Sequence, residues 1–284
     1  MAIKGDKIFL GNSPVTLVMS RSIMAANPKP TEDADAQAFL TATGITDPTI
    51  TAAINQLVVD FKNDGLWSKM GAIYPFVGGT ATTHKYNLKD PQDTDGAYRL
   101  DFNGGWTHSS TGATPNGSTG YADTHFKELT QNDTSFGVYS RTQISANSSV
   151  IIGYRFNASA HGSQIFPRFT GDLYKSRCQD DAPAGNDVSS QTNTQGFYFL
   201  SRTTSTGYSA VFDTTQNSIT RTSVSGGINS YSFFLGARNN EGSAGNFNAC
   251  EQAFAFCGDG LSSSEQTSLY NNVQTFQTTL GRQV

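Results

Sequence analysis

Three side chains near the middle of the chain have types suited to holding a sugar: Trp106, His108 and Tyr121. Aromatic rings cover the apolar faces of sugars, and nearby polar groups fix their orientation. All three lie in the run Gly105-Trp-Thr-His-Ser-Ser-Thr-Gly-Ala-Thr-Pro-Asn-Gly-Ser-Thr-Gly-Tyr-Ala-Asp-Thr124. That run also has a purely structural reading, because Gly112, Gly117 and Gly120 permit tight turns at positive φ. A little upstream, Asp90-Pro-Gln-Asp93-Thr-Asp95-Gly96 sets three carboxylates before a glycine, the ligand type of a hard cation such as Ca2+. With Gly96 at the sixth position, Pro91 stands first and offers no ligand, and Phe102 stands twelfth. An EF-hand is thereby excluded. What is left is a looser Ca2+ site on Asp90, Asp93 and Asp95, or a solvated turn.

The remaining reactive side chains form no catalytic motif. His84, His108, His125 and His161 sit in no H-E-x-x-H pattern, and no G-x-S-x-G or P-loop spacing occurs. Cys178, Cys250 and Cys257 are odd in number and lack metal-like spacing, which argues against a disulfide framework and a zinc site. They read as small buried apolar residues, as expected of assembly in a reducing cytoplasm. Cys250 and Cys257, seven apart on or beside one strand, are expected on opposite sides of a sheet. Charged residues make up 15% of the 284, with net charge −4, so no basic footprint exists for nucleic acid and no polybasic patch for a membrane. No apolar run approaches the roughly 18 residues of a membrane span. Ile8-Phe9-Leu10 is too short for the core of a signal peptide. The sequons at Asn132, Asn147 and Asn157 carry little weight without one.

The elements that must position these groups are mostly strands. Val150, Ile152, Tyr154 and Phe156 alternate with Ile151, Gly153 and Arg155, the period of a half-buried strand. Similar runs predict strands over 72–77, 98–102, 136–142, 196–203, 208–212, 218–224, 231–238 and 252–257. Three of them end in arginine (Arg141, Arg202, Arg238), which is expected at the solvent end. The polar stretch 179–194 reads as one long loop. Many short strands with polar turns favour a sandwich or barrel over a βαβ arrangement. Two helices are expected before the strands, one from Thr31-Glu32-Asp33 to Gly44 and one from Thr46-Asp47-Pro48 to Gly65. The second carries Ile50, Ala53, Ile54, Leu57, Val58 and Phe61 as a stripe that fits a cover on the sheet or a subunit contact. A last helix opens at Ser262 with Glu265 in capping-box spacing, carries Leu269, Val273, Phe276 and Leu280 on one face, and stops at Gly281. Residues 1–30 form a separate arm. A hairpin around Gly11-Asn12-Ser13-Pro14 presents Ile8, Phe9, Leu10, Val15 and Leu17 and is too small to be stable alone.

The last strand, Ala253-Phe-Ala-Phe-Cys-Gly-Asp-Gly-Leu261, followed by the Ser262 helix, resembles the end of concanavalin A-like (laminin-G-type) domains. Together with the Tyr74–Thr124 stretch and Val273-Gln-Thr-Phe-Gln-Thr-Thr-Leu-Gly-Arg282, the chain over roughly 37–284 is similar to a group of bacteriophage structural proteins of that fold. The N-terminal piece resembles short segments that begin many phage virion proteins as anchors. The resemblance implies a mainly-β, concanavalin A-like sandwich (jelly roll) over 71–284, a helical segment over 31–70, a C-terminal covering helix and an anchoring arm over 1–30. It implies a non-enzymatic virion component, a head or tail decoration or fibre, located on the particle after assembly in the bacterial host cytoplasm. Its expected partners are other phage virion proteins, further copies of itself as a homo-oligomer, and a host surface glycan. The alternative is a host-glycan-binding adhesin, and the third reading a polysaccharide depolymerase. Laminarinase-like members of the fold carry a Glu-x-Asp-x-(x)-Glu strand motif. None of Glu32, Glu128, Glu241, Glu251 and Glu265 sits in one.

Overall fold

The computed structural model describes residues 2–4, 7–10, 13–15, 32–127, 130–156, 161–181, 185–223 and 231–284. The chain divides into two units, Met1–Glu32 and Asp33–Val284. The first is a three-stranded antiparallel sheet of Ala2–Lys4, Lys7–Leu10 and Ser13–Val15. The expected hairpin thus gains a third strand. Ile8, Phe9, Leu10 and Val15 lie on its strands, and Leu17 lies outside the described residues.

The second unit is a mainly-β sandwich of two sheets with helices on one side. Its eight-stranded sheet runs Thr215–Thr220, Gly207–Phe212, Gly196–Arg202, Thr134–Ser140, Gln252–Gly258, Gly112–Pro115 and Trp106–Ser109, with Met70–Tyr74 also paired to Gln252–Gly258. Its central strands are apolar on both faces. Phe136, Val138, Tyr198, Leu200, Ala255 and Cys257 face the other sheet. Tyr139, Phe197, Phe199, Phe254 and Phe256 face outward, into a second core.

Helices fill that second core. The Pro48–Asn63 helix is capped by Asp47, whose carboxylate accepts the Thr49 and Ile50 N–H groups. It lays Ala53, Ile54, Leu57, Val58 and Phe61 against the sheet. The Ser263–Thr279 helix opens with the expected capping box and adds Leu269, Val273 and Phe276. Beyond it, Gly281 takes the left-handed conformation (φ 65°) that lets the chain turn back. Arg282 then buries its guanidinium. It donates to the carbonyls of Phe76, Pro75 and Ala253 and to Gln277 Oε1 at 2.8–3.2 Å. Burial pulls its pKa down to about 9.

The nine-stranded sheet runs Asn186–Ser190, Leu173–Asp180, His161–Phe169, Ile152–Phe156, Phe234–Leu235, Tyr121–Asp123 and Asp101–Asn103, with Arg238–Asn240 beside Ile152–Phe156 and Ser243–Gly245 beside Arg238–Asn240. Ile152, Tyr154, Ile165, Tyr174 and Leu235 point into the inter-sheet core. Among the described residues, no helix places an apolar side chain on the opposite face of this sheet. That face is uncovered in the sense that no helix lies on it among the described residues; Gln164, Arg177 and Phe234 on it are buried by their neighbours.

Four local expectations are corrected. The stretch 179–194 is no single loop, because it holds the end of Leu173–Asp180 and all of Asn186–Ser190. Their side chains are mostly polar, so the strand period was hidden. The strand expected over 231–238 is broken at Gly236, where φ is 76° and the chain reverses into Arg238–Asn240. Arg202 is fully buried rather than at a solvent end, and donates to the carbonyls of Cys178, Thr204 and Arg221. Cys250 and Cys257 both lie in the inter-sheet core. Cys250 precedes the strand, and a bulge between Gln252 and Phe254 shifts the alternation.

Candidate functional site

The uncovered face carries a cleft of about 710 Å3. Strand pairing builds its floor. Tyr121 pairs with Asn103, Asp123 with both Asp101 and Phe234, and Phe234 with Gly153. Because Leu235 and Ala122 point into the core, Tyr121, Asp123 and Phe234 point out. The Tyr121 ring stacks on Phe234 with centroids 4.6 Å apart and planes at 24°. Phe234 is only 3% exposed, so Tyr121 is the half-buried ring that faces the cleft. Tyr98 and Tyr231 add further aromatic wall, and Ser232, Asn239 and His125 supply polar groups.

His125 is placed by local backbone chemistry. It adopts a left-handed conformation (φ 55°), and Asp123 accepts its N–H at 2.8 Å. Its ring Nε2 lies 3.5 Å from Asp95 Oδ1. Asn239 is held from both sides, donating to the Ser232 carbonyl and accepting the Gly242 N–H. The cleft's polar groups are therefore fixed before any ligand arrives.

The structure separates the three residues expected to hold a sugar. Tyr121 lines the cleft; Trp106 and His108 do not. Trp106 packs on the inter-sheet core, and its indole N–H donates to the Tyr121 carbonyl at 3.1 Å. It therefore supports the strand that carries Tyr121. His108 meets His84, Nδ1 to Nδ1 at 2.9 Å. His84 Nε2 accepts the Gly79 N–H, so its proton sits on Nδ1 and points at His108. Burial, then His108 and Arg282, push the His84 pKa down to about 3. Burial lowers that of His108 as well.

The expected Ca2+ loop is also corrected. Lys85 and Arg99 hold Asp93, Arg99 and His125 approach Asp95, and Asp90 accepts from Gln92. Lys85 and Arg99 thus take Asp93 and Asp95, two of the three carboxylates that a metal would need. Among the described residues no group of three His, Cys, Asp or Glu side chains could hold a metal ion. Asp95 instead borders the cleft.

Sequence reasoning missed Phe234, Asn239 and the arginines Arg155, Arg177 and Arg238 as parts of this face. The alternation of Ile152 and Tyr154 with Gly153 and Arg155 was the available signal. It gives Arg155 a side, but says nothing of which strands lie next to it.

No protein-family model matches the sequence, and no curated protein does. Solved structures do. A mutant of Trypanosoma rangeli sialidase displaying trans-sialidase activity is similar at TM-score 0.51 and 10% identity, over 78% of this chain and 39% of that one. Trypanosoma rangeli sialidase in complex with sialic acid gives the same figures, TM-score 0.51 at 10% identity over 78% and 39%. The complex of that sialidase with 2-keto-3-deoxy-D-glycero-D-galacto-2,3-difluoro-nononic acid gives TM-score 0.52 at 10% identity, over 80% and 40%. The chain thus spans about 40% of the length of these sialidases. At such identity the likeness is one of fold, a two-sheet jelly-roll sandwich. These similar structures are sialidases, which overturns the main expectation of a virion structural component and backs its alternative, a glycan-binding protein.

Proposed function

We propose that the Asp33–Val284 unit binds glycans in the cleft on the uncovered face of the nine-stranded sheet. The observation that carries this reading is the Tyr121–Phe234 stack, set beside the fixed polar groups of Asp123 and Asn239. An aromatic plane edged by oriented donors and acceptors matches a sugar ring, which has apolar faces and a hydroxyl rim. The fold shared with sialidases supports the same reading. Binding is favoured over cleavage because the two carboxylates that line the cleft are engaged within the chain. Asp123 accepts the His125 N–H, and Asp95 is held by Arg99.

The test is glycan-array binding by the full chain, followed by titration of the best sugars against wild type and Tyr121→Ala. Removing the ring costs about ten-fold or more in affinity and leaves the unfolding midpoint nearly unchanged, since Phe234 stays beneath. Equal affinity in the variant would refute the site. Release of reducing ends from a bound glycan would refute the preference for binding over cleavage.

A further inference from the structure

One end of the cleft carries negative charge that its aromatic floor does not explain. Asp101 and Asp123 are register partners where Asp101–Asn103 pairs with Tyr121–Asp123, so both side chains lie on the outer face. Like charges directly opposite one another across a strand pair destabilise it. Neither aspartate forms an ion pair among the described residues. Asp123 accepts the His125 N–H on Oδ1, a bond that occupies one oxygen and brings no positive charge. Arg99 is already shared: it bonds Asp95 at 2.9 Å and Asp93 at 3.5 Å, and these two with Asp101 raise its pKa. Lys127 on the cleft wall is exposed and pairs with neither aspartate.

A second group in the cleft also lacks a partner. Ser232 is 7% exposed, and its hydroxyl makes no hydrogen bond among the described residues. Phe233 and Leu235 point into the inter-sheet core, so Ser232 takes the cleft side together with Phe234. Buried hydroxyls are ordinarily bonded, and this one opens on the cleft.

We propose that Asp123, reinforced by Asp101, forms a subsite for the ammonium group of an amino sugar unit stacked on Tyr121, with the Ser232 hydroxyl as a further acceptor. The proposal deepens the glycan-binding reading and rests on it. Tyr121 and Asp123 are two residues apart on one strand, about 7 Å between Cα atoms, so a sugar ring lying on the first carries its substituents toward the second. An ammonium donates charge-assisted hydrogen bonds to a carboxylate. It also relieves the repulsion between Asp101 and Asp123, which a neutral sugar cannot do. The face of the Tyr121 ring attracts the same cation. N-acetylation removes the charge and with it all three gains.

The experiment titrates the full chain with glucosamine oligosaccharides and with the same oligosaccharides fully N-acetylated. The amines are expected to bind about ten-fold more tightly than the acetylated forms. That ratio should shrink as salt is raised. Asp123→Asn should bring it close to one, since the amide oxygen still accepts the His125 N–H while the charge is gone. Asp101→Asn should reduce it in part and should not lower the unfolding midpoint, because it removes a like-charge pair. Comparison of amine with acetylated form on the wild-type protein keeps the test valid where a variant folds poorly. Equal binding of the two forms would overturn the ammonium subsite and leave the glycan cleft standing. An undiminished ratio in both aspartate variants would overturn the assignment to these residues. Binding of neither form would overturn the subsite, and the cleft reading falls with it only if no other glycan binds on the array.

Discussion

Replacing His84 by glutamine should abolish a specific part of the protein's acid sensitivity. His84 is 1% exposed, accepts the Gly79 N–H on Nε2 and donates from Nδ1 to His108. A second proton would have to displace the Gly79 bond and place a buried cation near Arg282. The folded-state pKa is about 3, against 6.5 for the free side chain. The unfolded chain therefore takes up the proton first. Stability is complete above about pH 6.5 and falls as the pH drops toward 3. At 1.36 kcal/mol per pH unit, this one group accounts for about 5 kcal/mol over the whole window and about 2 kcal/mol between pH 7 and pH 5. Urea unfolding of wild type and His84→Gln at both pH values isolates the effect, because all other titrating groups are common to the two. The change in unfolding free energy between pH 7 and pH 5 should differ by about 2 kcal/mol between them. Equal changes would show that the His84–His108 contact does not exclude the proton, and the reasoning would fall. The His84 ring resonances give an independent check, since they should not titrate above pH 5.

Two further predictions concern what holds the sandwich in place. Arg282→Met should cost about 3 kcal/mol in denaturant unfolding, because the carbonyls of Phe76, Pro75 and Ala253 lose a buried donor; a loss under 1 kcal/mol would show that water replaces the guanidinium. Gly137→Ala should destabilise by roughly 2–3 kcal/mol, since a Cβ there runs into Phe199 Cβ and the Tyr198 carbonyl in the centre of the eight-stranded sheet, and an unchanged midpoint would contradict that packing.

The parts of the fold that were legible in the sequence are those that local chemistry decides. Asp47 before Pro48, the Ser262–Glu265 box and Gly281 mark helix ends through contacts within a few residues, and the structure reproduces all three. The strands rich in Phe and Tyr could be read because their side chains are buried whichever way the sheets pack. Leu173–Asp180 and Asn186–Ser190 could not, although each pairs with a strand next to it in the chain, because their outward residues are polar and bulges break the alternation. The candidate site shows the same division. Tyr121 was recognisable by type, but its partner Phe234 is 113 residues away and meets it only through sheet pairing. Trp106 and His108 have the right chemistry, yet their backbone places them on the edge strand of the other sheet.

Which face of this sandwich is free for a ligand follows from where the helices go. The eight-stranded sheet has aromatic residues on both faces, and exposing Phe197, Phe199, Phe254 and Phe256 would leave a large apolar patch in water. The helical segments before and after the strands must cover it. The nine-stranded sheet has a more polar outer face, with Arg155, Gln164, Arg177, Asp123 and Tyr121 beside Phe234. Such a face gains little from a helix, whose apolar stripe would desolvate charges without replacing their water. The pattern that drives the helices to one sheet therefore leaves the other open, and the cleft lies there because that surface never needed a cover.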